Sequence, residues 1–244
     1  AAVRVSLVGF GPFFGVDRGS RLDGAEVVSV HADLTAGEGL NLTQATQLPE
    51  NSGAAFIGTQ KTGAFDIPGE MARQWLKLPN PNMRPNSDVV KPWANGQDLT
   101  RRPSDTWIVD FGVGLPEADA SLFEAPFRHI QEHVQVERGD KREAIAAKWW
   151  LHTRPRPDMR QALAGRQRFL VTPRVAKHRF FVWLPIATLP DSRLAVIARS
   201  DDTCFGILSS RFHTLWSLAT CSWHGVGNDP TYNAQSVFET FPFP

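Results

Sequence analysis

The order of the apolar runs constrains this chain more than any other feature of its sequence. Phe169-Leu170-Val171 and Phe180-Phe181-Val182-Trp183 are two strand-like runs separated by a short polar turn, and "LAVIAR" (194–199) is a third. Elsewhere helical stretches stand by themselves. A chain of repeated strand-helix-strand units would alternate strictly; short strands mixed with separate helices indicate instead an α+β fold with a mixed, largely antiparallel sheet and packed helices.

At 244 residues and 42% hydrophobic, the chain is long enough to bury a core, as one large domain or two small ones. No run approaches the ~18 apolar residues of a membrane span. The opening "AAVRVSLVGFG" has neither the length nor the cleavage pattern of a secretory signal, which makes cytoplasmic the default location. Cys204 and Cys221 are too few for a disulfide framework and have no paired His/Cys set for zinc, so they read as buried free thiols.

Residues 1–40 read as a hairpin of "AVRVSLVGF" and "AEVVSVHA" around a Gly- and Asp-rich connection, and residues 41–244 as the main domain. The abrupt start on an alternating strand suggests a piece of a longer polypeptide. "PGEMARQWLKL" predicts a short helix with Met71, Trp75, Leu76 and Leu78 on its apolar side. "TWIVDFG" predicts a buried strand. "EADASLFEAPFRHIQEHVQVER" and "DKREAIAAKWWLH" then predict helices, the first placing Leu122, Phe123, Phe127, Ile130 and Val134 on one core face. "PDMRQALAG" predicts a helix closed by Gly165, and "DDTCFGILSSRFHTLWSLAT" one capped by Asp201 or Asp202. The closing "FETFPFP" reads as an apolar strap packed on the domain.

Motifs for catalysis are weak. "VGFGPFFG" has G-x-G after a strand, but it lacks the third glycine and a following helix, so it offers no phosphate cradle. "NDPTY" (228–232) approaches the Asn-Pro-Pro-Tyr loop of amino-methyltransferases, but Thr231 replaces the second proline and a plain turn is the expectation. His129 and His133 have helical i, i+4 spacing without a third ligand, and read as a solvent-facing pair. No G-x-S-x-G elbow or P-loop is present. The chain alone is therefore expected to be inactive, with no cofactor or metal of its own.

The charge is unevenly distributed. The net charge is +1, yet residues 137–180 hold 12 Lys/Arg against 4 Asp/Glu, a local excess of +8. Such a block suits a polyanion, and cations spaced this densely around a sheet turn repel one another unless a partner relieves them. Arg154, Arg156, Arg166, Arg168, Arg174, Lys177 and Arg179 are the candidate phosphate contacts, expected on one contiguous face. Trp149 and Trp150 are interleaved with them, and at least one is expected to pack into the core on an amphipathic helix.

"WWLHTRPRPDMRQALAGRQRFLVTPRVAKHRFFVWLP", "FGILSSRFHTLWSLAT" and "GVGNDPTYNAQSVFETFPFP", in that order, resemble the target recognition region of MmeI-like adenine-specific DNA methyltransferases. These are large bacterial enzymes of restriction-modification or phage-defence systems. The resemblance covers most of the chain and is strongest from about residue 105 onward. It implies a fold like a DNA methylase specificity domain, with residues 1–40 resembling the strand pair that ends the methyltransferase fold. It further implies that S-adenosylmethionine and the catalytic loop belong to an upstream methyltransferase domain of the same polypeptide, and that the partner is double-stranded DNA with a flipped adenine. Base reading would fall to His178 in the strand turn, to Arg199 and Ser200 after the next strand, and to Trp223, His224 and Asn228 after the "SSRFH" helix. That last segment is Gly-rich, unlike the Arg- and Glu-bearing version of the family, and is equally readable as a structural Gly/Pro turn. The alternative to the DNA reading is a basic-faced module that binds RNA or an acidic protein.

Overall fold

The computed structural model describes residues 7–9, 19–31, 34–36, 42–139, 146–224 and 229–244. Twelve strands are defined among them: β1 (Ser20–Leu22), β2 (Ala25–Val27), β3 (Ala55–Ile57), β4 (Asp66–Pro68), β5 (Val90–Ala94) and β6 (Thr106–Val109), followed by β7 (Arg168–Pro173), β8 (Val182–Pro185), β9 (Leu189–Pro190), β10 (Leu194–Ile197), β11 (Ser222–His224) and β12 (Asp229–Thr231). One four-stranded sheet, ordered β3-β10-β7-β8, is antiparallel throughout. A second, ordered β4-β6-β5-β9, is antiparallel except for the parallel pair β5-β9. The chain has the α+β architecture that its pattern predicts.

Side chains alternate across a strand, which explains the unbroken apolar runs in β7 and β10. Phe169, Val171, Leu194 and Val196 pack on one face with Met159 and Leu163 of the Pro157–Leu163 helix. Leu170, Ala195 and Ile197 pack on the other with Leu208 and Phe238. Both faces are covered, so the runs Phe169–Val171 and Leu194–Ile197 are apolar throughout, and buried Thr172 beyond them accepts from Arg179 Nη1. The second sheet carries its own core, in which Ile67, Ile108 and Val90 meet Ala72, Phe123 and Ile130. The terminal strap packs as expected, with Phe238 and Phe241 buried.

Several predicted elements come out differently. The residues described in the predicted first strand, Leu7–Gly9, have no regular structure; the rest of that strand and the loop from Phe10 to Gly15 lie outside the described residues. The hairpin that does form, β1-β2, begins inside the Gly- and Asp-rich connection. The long helix predicted over 117–138 divides at Ser121–Phe123, and Pro126 gives the reason. A proline lacks the N–H that would bond the carbonyl four residues earlier, so the helix restarts at Glu124 with Pro126 in its first turn. That stranded carbonyl, of Leu122, accepts instead from Asn80 Nδ2 at 2.8 Å and Asn82 Nδ2 at 3.0 Å. The helix predicted over 201–220 divides at Ser209–Ser210; Asp201 caps the first half through Cys204 N, and Ser210 the second through His213 N. Residues 140–145 lie outside the described residues, and Trp149 and Trp150 sit in a turn rather than a helix, both buried. Leu76 of the Gly69–Lys77 helix and Leu78, the extended residue after it, are exposed, and Ala72 takes the core position. His129 is half-buried, stacked on His133 at 4.3 Å and edge-on to Trp75, so the pair does not simply face solvent. Cys204 is buried and Cys221 partly so, both free thiols.

Buried polar groups brace both cores, and Asp110 with Arg160 joins the second sheet to the helix packed on the first. Asp110 receives Arg160 Nη1 at 2.8 Å and Nη2 at 3.0 Å, and His152 donates from Nε2 to Val109 O at 2.9 Å with Nδ1 3.6 Å from Asp110. His213 Nε2 lies 2.9 Å from the buried Tyr232 hydroxyl. Burial pushes His152 down to about 4 even though Asp110 opposes it, and burial, then the charge of Arg179, pushes His213 down to about 4. A histidine lowered in this way binds its proton more readily in the unfolded chain. Its contribution is complete above the ordinary value of ~6.5 and is lost as pH falls toward about 4. The midpoint of urea unfolding is therefore expected to fall steadily from about pH 7 to about pH 4, by an amount on the order of a few kcal/mol in stability. A midpoint flat across that window would contradict the neutral, buried state of both rings.

Candidate nucleic-acid interface

β7 organises the cations. Arg168 opens the strand and Arg174 follows its last residue, which at ~3.3 Å per residue sets them roughly 20 Å apart. Because β10 runs antiparallel beside it, Arg199 falls near Arg168 and Arg193 near Arg174, whose N–H donates to Arg193 O at 2.8 Å. The basic residues thus divide between two ends of one sheet and do not form the single face that their spacing suggested.

At the Arg168 end the charges are already engaged. Arg168 donates to Asp202 at 2.9 Å and to Ser200 O at 3.2 Å, with its guanidinium 4.0 Å from the Trp183 ring. Arg199 lies 3.9 Å from Asp201, and Arg166 donates to Ala162 O at 2.9 Å. Carboxylates and carbonyls here do much of what a phosphate would.

The Arg174 end differs. A cleft of about 990 Å³ is lined there by Arg101, Arg174, Lys177, His178, Arg193 and His224, with Asp229 the carboxylate among its lining residues. Lys177 and His178 are exposed at the tip of the turn. Arg174 donates to Ser192 O at 3.3 Å, while its Nε is buried with no partner. Arg156 is held beside this group in a left-handed conformation, φ 60°, which non-glycine residues seldom adopt. Its Nε donates to Gly58 O at 3.1 Å, and Gly58 must be glycine, since a Cβ there would overlap the Asp191 carbonyl. Burial lowers the Arg156 pKa, and the charges of Arg154 and Arg174 lower it further. Arg154 and Arg156 themselves line a neighbouring cleft of about 870 Å³, separate from that of Arg174.

Arg179 was expected beside them and is turned inward. Its Nη1 donates to Thr172 Oγ1 at 2.9 Å and to Pro173 O, its Nη2 to Pro230 O at 3.2 Å, and it covers the Tyr232 ring at 5.0 Å. Burial lowers its pKa. It clamps the turn to β12 and leaves no face for a phosphate. The "NDPTY" segment is not a plain turn either: Asp229–Thr231 pairs with Ser222–His224, and Thr231 bridges to Val175. That pairing sets His224 in the cleft. Trp223, half-exposed, alternates to the opposite side of β11. Asn228 lies outside the described residues.

Arg101 and Arg193 carry no signal in the sequence because neither falls in the basic block; one follows a helix of an acidic region and the other sits in the β9-β10 turn. Only the fold gathers them. Among the described residues, no group of three or more His, Cys, Asp or Glu could hold a metal ion, and no helix is long and apolar enough to cross a membrane.

Fold and cleft together define a class: an α+β module that presents cations at one end of an antiparallel sheet. No protein-family model and no curated protein matches the chain. Among solved structures, it is similar to the Type IIL restriction-modification enzyme MmeI in complex with DNA, with a TM-score of 0.61 and 16% identity over 90% of this chain and 29% of that one. The chain spans under a third of that enzyme's length, and the likeness is one of fold.

Proposed function

We propose that this chain is the target recognition domain of an MmeI-like adenine-specific DNA methyltransferase, gripping duplex DNA at the Arg174 end of β7. One observation carries the reading: Arg101, Arg174, Lys177 and Arg193, drawn from separate segments, line one cleft at the end of a fold shared with a restriction-modification enzyme, with Arg156 near enough to Arg174 to feel its charge. These cations take phosphates, and His178 and His224 beside them reach for bases, while Trp223, on the other side of β11, lies away from the cleft. Arg166, Arg168, Arg199 and Ser200 play a lesser part because their partners lie within the protein.

In this reading S-adenosylmethionine binds an upstream methyltransferase domain, and the chain alone transfers no methyl group. A cleft walled by arginine and lysine suits phosphate oxygens and is a poor match for a sulfonium cation. Residues 1–40 complete the fold of that upstream domain. The two-stranded β1-β2 hairpin supports this, since a pair of strands exposed on both faces needs a sheet to join.

The test is duplex affinity by fluorescence anisotropy as salt rises. About five phosphate contacts give a logarithmic slope near −4.5, or roughly a several-hundredfold loss between ~50 and ~200 mM salt. Binding indifferent to salt overturns the proposal. So does an RNA duplex bound far more tightly than DNA, or a bound acidic protein that nonspecific DNA fails to displace.

A further inference from the structure

The cleft has a second wall, drawn from outside the basic block. The short helix Gly96–Thr100 runs along it, and Gln97, Thr100 and Arg101 line the cleft opposite the turn bearing Lys177 and His178. This helix is firmly seated. Asn95 accepts from Gln97 N at 2.7 Å, Asp98 accepts from Asn95 N at 2.9 Å, and a side chain at Gly96 would touch Pro173, the residue before Arg174. Gln97 is exposed, and its side-chain amide makes no hydrogen bond within the protein among the described residues.

From these placements we infer that Gln97 is a specificity-determining residue, which reads an adenine edge in the major groove while the arginines and lysine around it hold phosphates. The inference rests on the proposed DNA-binding function and deepens it. The physical reason is a division of labour by chemistry. A cation placed among phosphates is attracted to any sequence. A neutral amide gains little from phosphate, but its carbonyl and NH2 match the N6 donor and N7 acceptor of adenine with two bonds. Placing such a group amid cations makes sense where a base edge comes between backbone strands. A rigid pedestal matters because a reading group must be held within a fraction of an ångström to discriminate. Gln97 stands on a capped helix braced against β7, whereas Lys177 and His178 stand on a turn.

The experiment is a selection from a library of duplexes with a randomised core, bound by the 244-residue chain and sequenced. The wild type is expected to enrich a sequence with adenine at one position. Gln97→Ala should lose preference at that position by roughly tenfold to a hundredfold, through weaker binding of the adenine-bearing duplexes, with little change in affinity for duplexes lacking that adenine or in the salt dependence. Gln97→Glu should shift the preference toward cytosine, whose N4 amine donates to a carboxylate. Gln97 touches no core group, so both variants should unfold at the wild-type urea midpoint. An enriched sequence unchanged in both variants overturns the inference and leaves the phosphate grip standing. Wild-type binding that is indifferent to salt overturns the grip itself. Salt-sensitive binding that enriches no sequence overturns base reading by Gln97 alone.

Discussion

Replacing Arg174 and Lys177 together by alanine is expected to weaken binding to every duplex by about a hundredfold and to flatten the salt dependence by about two charges. Hydrogen bonds to charged groups contribute ~1.5–3 kcal/mol each, and two such bonds at the lower figure give ~3 kcal/mol, or a hundredfold. Each phosphate left without its cation also takes ~0.9 from the logarithmic salt slope, so the slope of the double variant should be shallower by nearly two. The two residues are not equivalent. Lys177 is exposed, and its removal should cost binding alone. Arg174 also donates to Ser192 O, and part of its effect will show as a less ordered turn. The single variants separate these contributions, because only Arg174→Ala should also lower the urea midpoint. Arg168→Ala is the control: with Asp202 and Ser200 O as partners, it should leave the salt slope nearly unchanged. A double variant that binds as tightly as the wild type, with the same slope, would mean that the cleft does not hold DNA.

The sequence makes some of this architecture plain and hides the rest for identifiable reasons. Phe169–Val171 and Leu194–Ile197 announce themselves because both faces of these strands are covered, which favours apolar side chains at successive positions. Asp201 is legible as a cap because its chemistry is local. The helix break at Leu122 is half-legible: Pro126 forbids continuity, but the rescue of the Leu122 carbonyl by Asn80 and Asn82, some forty residues away, belongs to the tertiary structure. Charge shows the same boundary most sharply. Arg138, Arg160, Arg174 and Arg179 all fall in the basic block, and composition cannot tell them apart. Arg160 meets Asp110 and Arg179 meets Pro230 O, partners some fifty residues distant, while Arg174 meets only Ser192 O and lines the cleft. The direction of a guanidinium depends on which acceptors are left unpaired when the chain closes. The excess of charge is visible in the sequence, but the cleft is not: of the seven cations expected on one face only Arg174 and Lys177 line it, and Arg101 and Arg193 join them through the fold alone.

Arg138 puts that distinction to its strongest test. It is the largest fully buried side chain among the described residues, lying over the Phe65 ring at 4.9 Å. Its donors go to carbonyls: Nη1 to Trp149 O at 2.9 Å and Leu151 O at 2.7 Å, Nε to Thr62 O at 3.0 Å, and Nη2 to Lys61 O at 2.7 Å. One side chain thus joins the loop after β3 to the segment carrying both buried tryptophans. Arg138→Met keeps most of the volume and strands the carbonyls of Thr62, Trp149 and Leu151, while Lys61 O keeps Thr153 N; each stranded acceptor costs ~1–3 kcal/mol when buried without a donor. A loss of roughly 4 kcal/mol or more is expected, a large part of the ~5–15 kcal/mol that holds a domain folded. Arg138→Lys keeps the charge but has three rotatable donors in place of a planar fork, and should fall between methionine and the wild type. The urea midpoints should rank in that order. Where the lysine variant remains folded, its affinity for duplex DNA and its salt slope should equal the wild type's, because this charge never reaches the surface. A folded Arg138→Lys chain that bound DNA with a flatter slope would mean that the interior cations take part in the grip, and the separation of structural from binding arginines would fail.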